Sequence, residues 1–197
     1  MNEFRDRFPV DAHHLERLHG DLADRADDDG LLDVAYTTVD SPLGPLLVAV
    51  TDVGLVRVAF DGENHAAVLA ALSERVSRRI LRSGRGTDGA ARQLDEYFAG
   101  RRRSFDVPVD LRLVDGFRRD VISQLPTIPY GDTASYAELA ARAGRPTAVR
   151  AAGSACAHNP VPVVVPCHRV VRSDGTIGQY RGGAAAKATL LSLESAA

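Results

Sequence analysis

Short apolar runs separated by turn sequences dominate one region of the chain, between residues 33 and 60. The runs at 33–39, 46–51 and 55–60 are separated by turn sequences at 41–45 and 52–54. Runs of this length, rich in Val, Thr and Tyr and bounded by Gly, Pro or Asp, are typical of β-strands joined by tight turns. The pattern therefore predicts a meander of three antiparallel strands.

Apolar residues at helical spacing predict helices on both sides of this meander. Leu15, Leu18 and Leu22 predict a short amphipathic helix over 11–25. Further helices are predicted over 64–79, 89–99 and 115–125, and residues 83–89 are predicted as a glycine-rich loop. The mixture indicates an α+β fold, which we divide into a polar N-terminal extension (1–30), a structural α/β domain (31–105) and a second domain (106–197).

A helix-turn-helix is predicted in the second domain. Ser135 and Glu138 form a capping box at a helix start, Gly144 follows the helix, and a second short helix is predicted over 147–157. Arg150 is the only long side chain in the middle of that second helix, where small residues predominate. One interpretation is that the small residues permit close approach to a minor groove of DNA, and that Arg150 fills the place of an extruded base. The pattern alone slightly favours packing against a core.

Composition narrows the classes of protein that the chain could belong to. Hydrophobic residues make up 45% and charged residues 25%, which is ordinary for a globular protein. We find no apolar stretch long enough for a membrane span and no cleavable leader, and two cysteines cannot form a disulfide framework. The net charge is −2, but acidic residues predominate in the first 100 positions and basic residues in the rest. The asymmetry suggests that phosphate contacts belong to the C-terminal half, although charge asymmetry of this size is also common in proteins that bind no nucleic acid.

Two sets of residues carry candidate chemistry. His13, His14 and His19 lack well-spaced partners, so a solvated helix face is expected there and no metal site. Cys167 follows Pro166 after an apolar run at 161–165, which is predicted as a buried strand or extended segment. A reactive thiol needs a nearby base or positive charge, and two candidates follow it directly, a histidine and an arginine. By itself, a buried structural cysteine is the commoner interpretation.

The surroundings of this cysteine change that balance. Residues 159–171, NPVPVVVPCHRVV, resemble the active-site signature of the O6-alkylguanine-DNA alkyltransferases, also called methylated-DNA–protein-cysteine methyltransferases. Residues 128–136 are similar to that family's helix-turn-helix entry, 148–153 to its recognition helix and 178–183 to the loop that walls its alkyl pocket. The resemblance covers 115–197 well, 31–100 only in general design, and 1–30 not at all. It implies a ribonuclease H-like N-terminal domain and a winged-helix-like C-terminal domain.

The resemblance also implies roles for individual residues. Cys167 would be the nucleophile and His168, oriented by Glu194, its base acting through water, while Tyr136 would assist nucleotide rotation and protonate the leaving guanine. The DNA contacts that the resemblance implies are Arg150, Tyr136, Ala148, Ala151, Gly153 and Ser154. The support and pocket residues that it implies are Asn159, Pro166, Arg169, Val170, Tyr180, Arg181 and Gly182.

The function implied is repair of duplex DNA by irreversible transfer of an alkyl group from O6-alkylguanine, or O4-alkylthymine, to Cys167 after base flipping. No cofactor, metal or membrane is expected, and the protein should be a cytoplasmic, nucleoid-associated bacterial monomer, with cooperative loading on DNA left open. The chain departs from many relatives at Ile122, Cys156, His158 and Arg181. Three alternatives stay open: a non-catalytic alkyl-damage-binding protein, a helix-turn-helix regulator of transcription and a cysteine hydrolase.

Overall fold

The computed structural model describes residues 11–195, and its α+β architecture agrees with the predicted fold class. Within this range, no helix is both long enough and apolar enough to cross a membrane. The strands are β1 (Val34–Val39), β2 (Leu46–Val50), β3 (Leu55–Phe60), β4 (Ile80–Arg82), β5 (Ala134–Ser135) and β6 (Val170–Val171). The helices are α1 (Ala12–Asp28), α2 (His65–Arg75), α3 (Gly84–Phe98), α4 (Gly116–Gln124), α5 (Tyr136–Arg142), α6 (Val149–Ala157) and α7 (Gly183–Ser195).

The N-terminal sheet contains the predicted antiparallel meander and one additional strand. β1 pairs with β2 and β2 with β3, with Tyr36 opposite Ala49 and Val48 opposite Val58. β4 lies parallel to β1 at the other edge, so the strand order is β3-β2-β1-β4. The sequence pattern misses β4 because three residues are too few to show a strand period. The sheet is therefore mixed and four-stranded, instead of purely antiparallel.

The predicted glycine-rich loop at 83–89 is wrong, because Ser83 is the N-cap of α3 and residues 84–89 form its first turns. Gly86 is required by packing, because a Cβ atom at this position would lie 2.7 Å from the Cβ of Ala35 on β1. The Thr87 hydroxyl donates to the Ser83 carbonyl oxygen at 2.7 Å, which satisfies a backbone acceptor at the helix start. Glycine thus lets this helix approach the sheet closely.

The helix-turn-helix prediction is confirmed. The Glu138 amide donates to the Ser135 hydroxyl at 3.2 Å, and the Ser135 amide donates to the Glu138 carboxylate at 2.6 Å, which completes the capping box. Gly144 has a φ of 78° after the end of α5, as a helix C-terminus requires. Helix α6 begins at Val149, two residues later than predicted, because a turn occupies positions 145–148.

The apolar run at 161–165 is not a strand but a buried turn. The Val165 amide donates to the Val161 carbonyl oxygen at 2.9 Å, and Val163 has a φ of 74°, which is rare for a β-branched residue. Pro166 has φ −82° and ψ 61°, and the Cys167 amide donates to the Val165 carbonyl oxygen at 2.8 Å, as in an inverse γ-turn. Prolines within and beside the run remove backbone donors, so it cannot form a sheet ladder.

Helix α1 is longer than predicted, and its apolar face is largely open to solvent. Ala23 is buried, whereas Leu15, Leu18 and Leu22 are 44%, 50% and 53% exposed. The three histidines of the helix are exposed as well. No group of three or more His, Cys, Asp or Glu side chains in residues 11–195 is placed to hold a metal ion.

One hydrophobic core joins the sheet to the C-terminal helices. Its buried members include Leu46 and Tyr97 from the N-terminal half and Val121 and Leu190 from the C-terminal half. A smaller core, which includes Leu47, packs between the sheet and α2. The segment between the halves also pairs with β3, through backbone hydrogen bonds at Pro108 and Asp110. The predicted domain boundary at 105/106 stays a prediction.

Candidate active site

Cys167 begins a 3-10 turn that extends to Arg169, and the residue is only 1% exposed. The Asn159 side-chain amide donates to the Cys167 sulfur at 3.2 Å and to the Val165 carbonyl oxygen at 2.9 Å. Its own carbonyl oxygen accepts from the Val161 amide at 3.0 Å. Asn159 is itself fully buried, so it fixes the turn and directs an N–H group at the sulfur.

The thiol is protonated at neutral pH. Burial raises the pKa of Cys167 to about 11, although the hydrogen bond from Asn159 and the charge of Lys187 act in the opposite direction. Only the thiolate is a strong nucleophile. Chemistry at this sulfur therefore requires a base.

His168 is a suitable base, and its tautomer follows from its neighbours. Its Nε2 atom lies 2.8 Å from a Glu194 carboxylate oxygen, Oε1, and both side chains are buried. Because a carboxylate only accepts, Nε2 carries the proton and Nδ1 is left free to accept one. Nδ1 is a buried atom with no hydrogen-bond partner among the described residues. Burial lowers the pKa of His168 despite the neighbouring carboxylate, so the ring is neutral.

Glu194 is the centre of a buried hydrogen-bond network that spans both halves of the chain. Arg169 donates to both of its oxygens, at 2.8 and 2.9 Å, the Tyr97 hydroxyl donates to Oε1 at 2.7 Å, and the Gly131 amide donates to Oε2 at 3.2 Å. Burial alone would raise the pKa of this carboxyl group, but the hydrogen bonds from His168 and Arg169 hold it well below its usual value. The carboxylate therefore stays ionised.

Two residues of this region are not predicted by the motifs in the sequence. Tyr97 belongs to α3, in the half for which only a structural role was predicted, and no local motif marks it. Lys187 is fully buried in α7, donates to the Val170 carbonyl oxygen and lies with its Nζ 5.8 Å from the centroid of the Tyr136 ring. Its signal was that it is the only lysine in the chain.

Tyr136 and the loop at 178–183 lie beside this network. A Cβ atom at Gly178 would come within 2.3 Å of the Tyr136 hydroxyl oxygen, so glycine is required for this approach. Burial raises the pKa of Tyr136 to about 12, so its hydroxyl is protonated at neutral pH. The buried Tyr180 ring packs edge-on against Phe60 of β3, with ring centroids 5.6 Å apart. The loop is therefore packed between the two halves of the chain.

Helix α6, which includes most of the predicted recognition helix, has two different faces. Ala152, Ala155 and Cys156 are buried, which agrees with packing against a core. The opposite face borders an open groove of about 430 Å³, and the groove residues include Tyr136, Arg150, Gly153, Ser154, His158, Arg172 and Gln179. Arg150, Ala151 and Ser154 are exposed and Ala148 is half-buried. Packing and an accessible small-residue surface therefore coexist on one helix.

Comparison with known proteins agrees with this architecture. The family model described as 6-O-methylguanine DNA methyltransferase, ribonuclease-like domain, matches residues 34–111. The model of the same family's DNA binding domain matches residues 116–196. A methylated-DNA–protein-cysteine methyltransferase of Mycolicibacterium paratuberculosis is 42% identical over 161 residues, which cover 82% of this chain and 92% of that protein. The constitutive enzyme of Bacillus subtilis is 36% identical over 160 residues, or 81% of this chain and 94% of that protein.

Solved structures give the same result. The Mycobacterium tuberculosis O6-methylguanine methyltransferase is 39% identical, has a TM-score of 0.71 and covers 83% of this chain and 93% of its own. The same mycobacterial protein in complex with DNA is 40% identical, also has a TM-score of 0.71 and covers 82% of this chain and 93% of its own. The chain belongs to the 6-O-methylguanine DNA methyltransferase family.

Proposed function

We propose that this protein repairs duplex DNA by moving the alkyl group of O6-alkylguanine irreversibly onto its own Cys167. The observation that carries the proposal is one buried turn that holds the Cys167 thiol, bonded by Asn159, next in the chain to a neutral His168, whose Nε2 is bonded by Glu194 so that Nδ1 is left free to accept a proton. A nucleophile, a base and a group that orients the base form the arrangement needed for covalent transfer. The names of the relatives agree with the same reaction.

The reaction proceeds by one displacement. His168 takes the thiol proton through a bridging water, and the sulfur attacks the alkyl carbon as the carbon–O6 bond breaks. The bonding electron pair leaves with the guanine, which takes a proton from the Tyr136 hydroxyl; solvent then restores that proton and removes the one on His168. A thioether at Cys167 remains, and because it is stable, each molecule acts once.

The groove beside α6 would bind the DNA. On α6 itself, the residues that line the groove are small apart from Val149 and Arg150, which suits close approach to a minor groove and replacement of an extruded base by Arg150. The mycobacterial relative has a solved structure in complex with DNA, which supports DNA as the partner. Because Cys167 is only 1% exposed, a flipped guanine reaches the sulfur only after the groups that cover the thiol move.

The test is the intact mass of the protein after incubation with a duplex that carries one O6-methylguanine. We expect the gain of one methyl group on the Cys167 peptide, no gain in Cys167→Ser and an unchanged gain in Cys156→Ser, which removes the other buried cysteine. Tight and selective binding of the lesion without a mass change would favour the non-catalytic damage-binding alternative. If the protein neither binds the lesion nor gains the methyl group, the proposal is refuted.

A further inference from the structure

A half-buried carboxylate outside the catalytic network connects the two halves of the chain. Glu63 lies in a 3-10 turn directly after β3, and its side chain is 15% exposed. One oxygen, Oε1, accepts from the Phe60 amide at 3.0 Å. The other, Oε2, accepts from both Arg57 of β3 and Arg181 of the pocket loop. One acidic group thus holds two arginines that are 124 positions apart in the chain.

The first arginine of this cluster braces the turn that leads to the thiol. Arg57 donates to the Pro160 carbonyl oxygen at 3.0 Å and to the Val58 carbonyl oxygen at 2.7 Å. The Val58 amide also donates to the Pro160 carbonyl oxygen, at 2.9 Å. Pro160 directly follows Asn159, the residue that holds the thiol, so β3 fixes one side of the candidate site.

The second arginine belongs to the opposite side. Arg181 lies between Tyr180 and Gly182 in the loop that packs beside Cys167 and His168. A Cβ atom at Gly182 would lie 2.8 Å from the Phe60 ring, so the loop backbone is in direct contact with β3. The ion pair with Glu63 and this contact together hold the loop against the N-terminal half.

The Glu63 carboxylate compensates the positive charges of Arg57 and Arg181. Without it, Arg57 and Arg181 would face each other as uncompensated positive charges, one of them buried. Burial would raise the pKa of Glu63, but the hydrogen bond and charge of the arginines lower it below its usual value, so the group is ionised at neutral pH. Two like charges without an anion repel each other, and Arg181 on the loop is the one that can move, because its side chain is 28% exposed whereas that of Arg57 is 6% exposed.

We propose that Glu63 is a positioning residue that determines the size of the alkyl group the protein accepts, by holding the Tyr180–Gly182 wall through Arg181. The inference rests on the proposed alkyl transfer. A wall held by an ion pair favours the compact methyl group, because it pre-orders the pocket around a small substituent. Without the ion pair, the segment Tyr180–Gly182 is less ordered, but it leaves room for longer alkyl substituents. Methyl transfer should therefore slow while transfer of larger groups slows less or accelerates.

The experiment measures single-turnover rate constants with two duplexes of one sequence, carrying O6-methylguanine or O6-butylguanine. In Glu63→Gln, which preserves size and removes the charge, the butyl-to-methyl ratio should rise by about threefold to about tenfold. Arg181→Gln should raise the ratio similarly, and the double variant should match the single variants because all three break one interaction. Glu74→Gln, at an exposed glutamate of α2, is the matched control and should leave the ratio unchanged.

The outcomes separate this inference from the proposed function. If the wild-type protein transfers neither group, the proposed function fails. If the wild type transfers methyl normally and the ratio in Glu63→Gln stays equal or falls, the positioning role is overturned. Additive effects of the two substitutions would also overturn it. Unfolding midpoints should accompany the rates, because a purely structural loss lowers both rate constants together and leaves their ratio unchanged.

Discussion

Replacing Glu194 by glutamine should destabilise the fold far more than its conservative size suggests. The carboxylate accepts hydrogen bonds from four groups, which are His168, Arg169, Tyr97 and the Gly131 amide, and both oxygens receive at least two. A glutamine offers one oxygen and one NH2 group. Whichever side the NH2 takes, it meets groups that themselves donate, so several buried donors lose their acceptor.

The size of the loss follows from the charge left behind. The Arg169 side chain is 8% exposed and its Nη1 also donates to the Ile128 carbonyl oxygen, so it cannot turn freely to solvent. Removing one partner of a buried ion pair typically costs about 3–5 kcal/mol. Tyr97→Phe removes only one charge-assisted hydrogen bond to the same carboxylate and should cost about 1.5–3 kcal/mol. We therefore expect a larger loss of unfolding free energy in Glu194→Gln than in Tyr97→Phe.

Urea unfolding at neutral pH, followed by circular dichroism, measures these differences. We expect an unchanged m-value, a small decrease of the midpoint for Tyr97→Phe and a large one for Glu194→Gln. Glu74→Gln serves as the surface control and should remain within about 0.5 kcal/mol of wild type. A loss below about 1 kcal/mol in Glu194→Gln would refute the reasoning, because Arg169 would then be satisfied in some other way.

Three further predictions concern pH, the buried lysine and the pocket loop. The pKa of Glu194 is lower in the folded state than its unfolded value of about 4.5, so the ionised carboxylate stabilises the fold above that pH and this contribution is lost as the pH falls towards the folded pKa. The urea midpoint should therefore decline more steeply between about pH 6 and about pH 3 in wild type than in Glu194→Gln. Lys187→Met removes a positive charge that lowers the pKa of Cys167, so the pH–rate profile of methyl transfer should move to higher pH, and an unmoved profile would contradict that electrostatic role. Gly178→Ala places a methyl group 2.3 Å from the Tyr136 hydroxyl, so methyl transfer should slow by about tenfold or more, whereas Gly89→Ala, with no atom within 4 Å of its new Cβ, should match wild type.

The sequence predicts those parts of the fold that depend on local signals. The meander follows from apolar runs separated by turns, and the helix-turn-helix follows from the Ser135 capping box and Gly144. The failures have a common physical cause, which is tertiary contact. Gly86 permits close packing of α3 against Ala35 instead of belonging to a loop, and β4 exists only because β1 offers it an edge.

The candidate site is predictable to a similar extent. The resemblance identified Cys167, His168 and Glu194, and the structure brings the last two into contact. The run at 161–165 looked like a strand because five buried apolar residues suit either a strand or a buried turn, and only the prolines hinted at the second. Tyr97 could not be found, because its hydroxyl meets Glu194 97 positions away in the chain and no local pattern encodes that contact.

The core that joins the sheet to the C-terminal helices has a consequence for how the protein comes apart. Because one apolar cluster contains side chains from both halves, neither half can open without exposing surface that the other covers. Heat or denaturant should therefore melt the chain in a single transition, with equal calorimetric and van't Hoff enthalpies. Partial unfolding would be confined to α1, whose leucines are more exposed to water than those of the other helices within residues 11–195, and proteases should cut this helix long before they cut near the thiol.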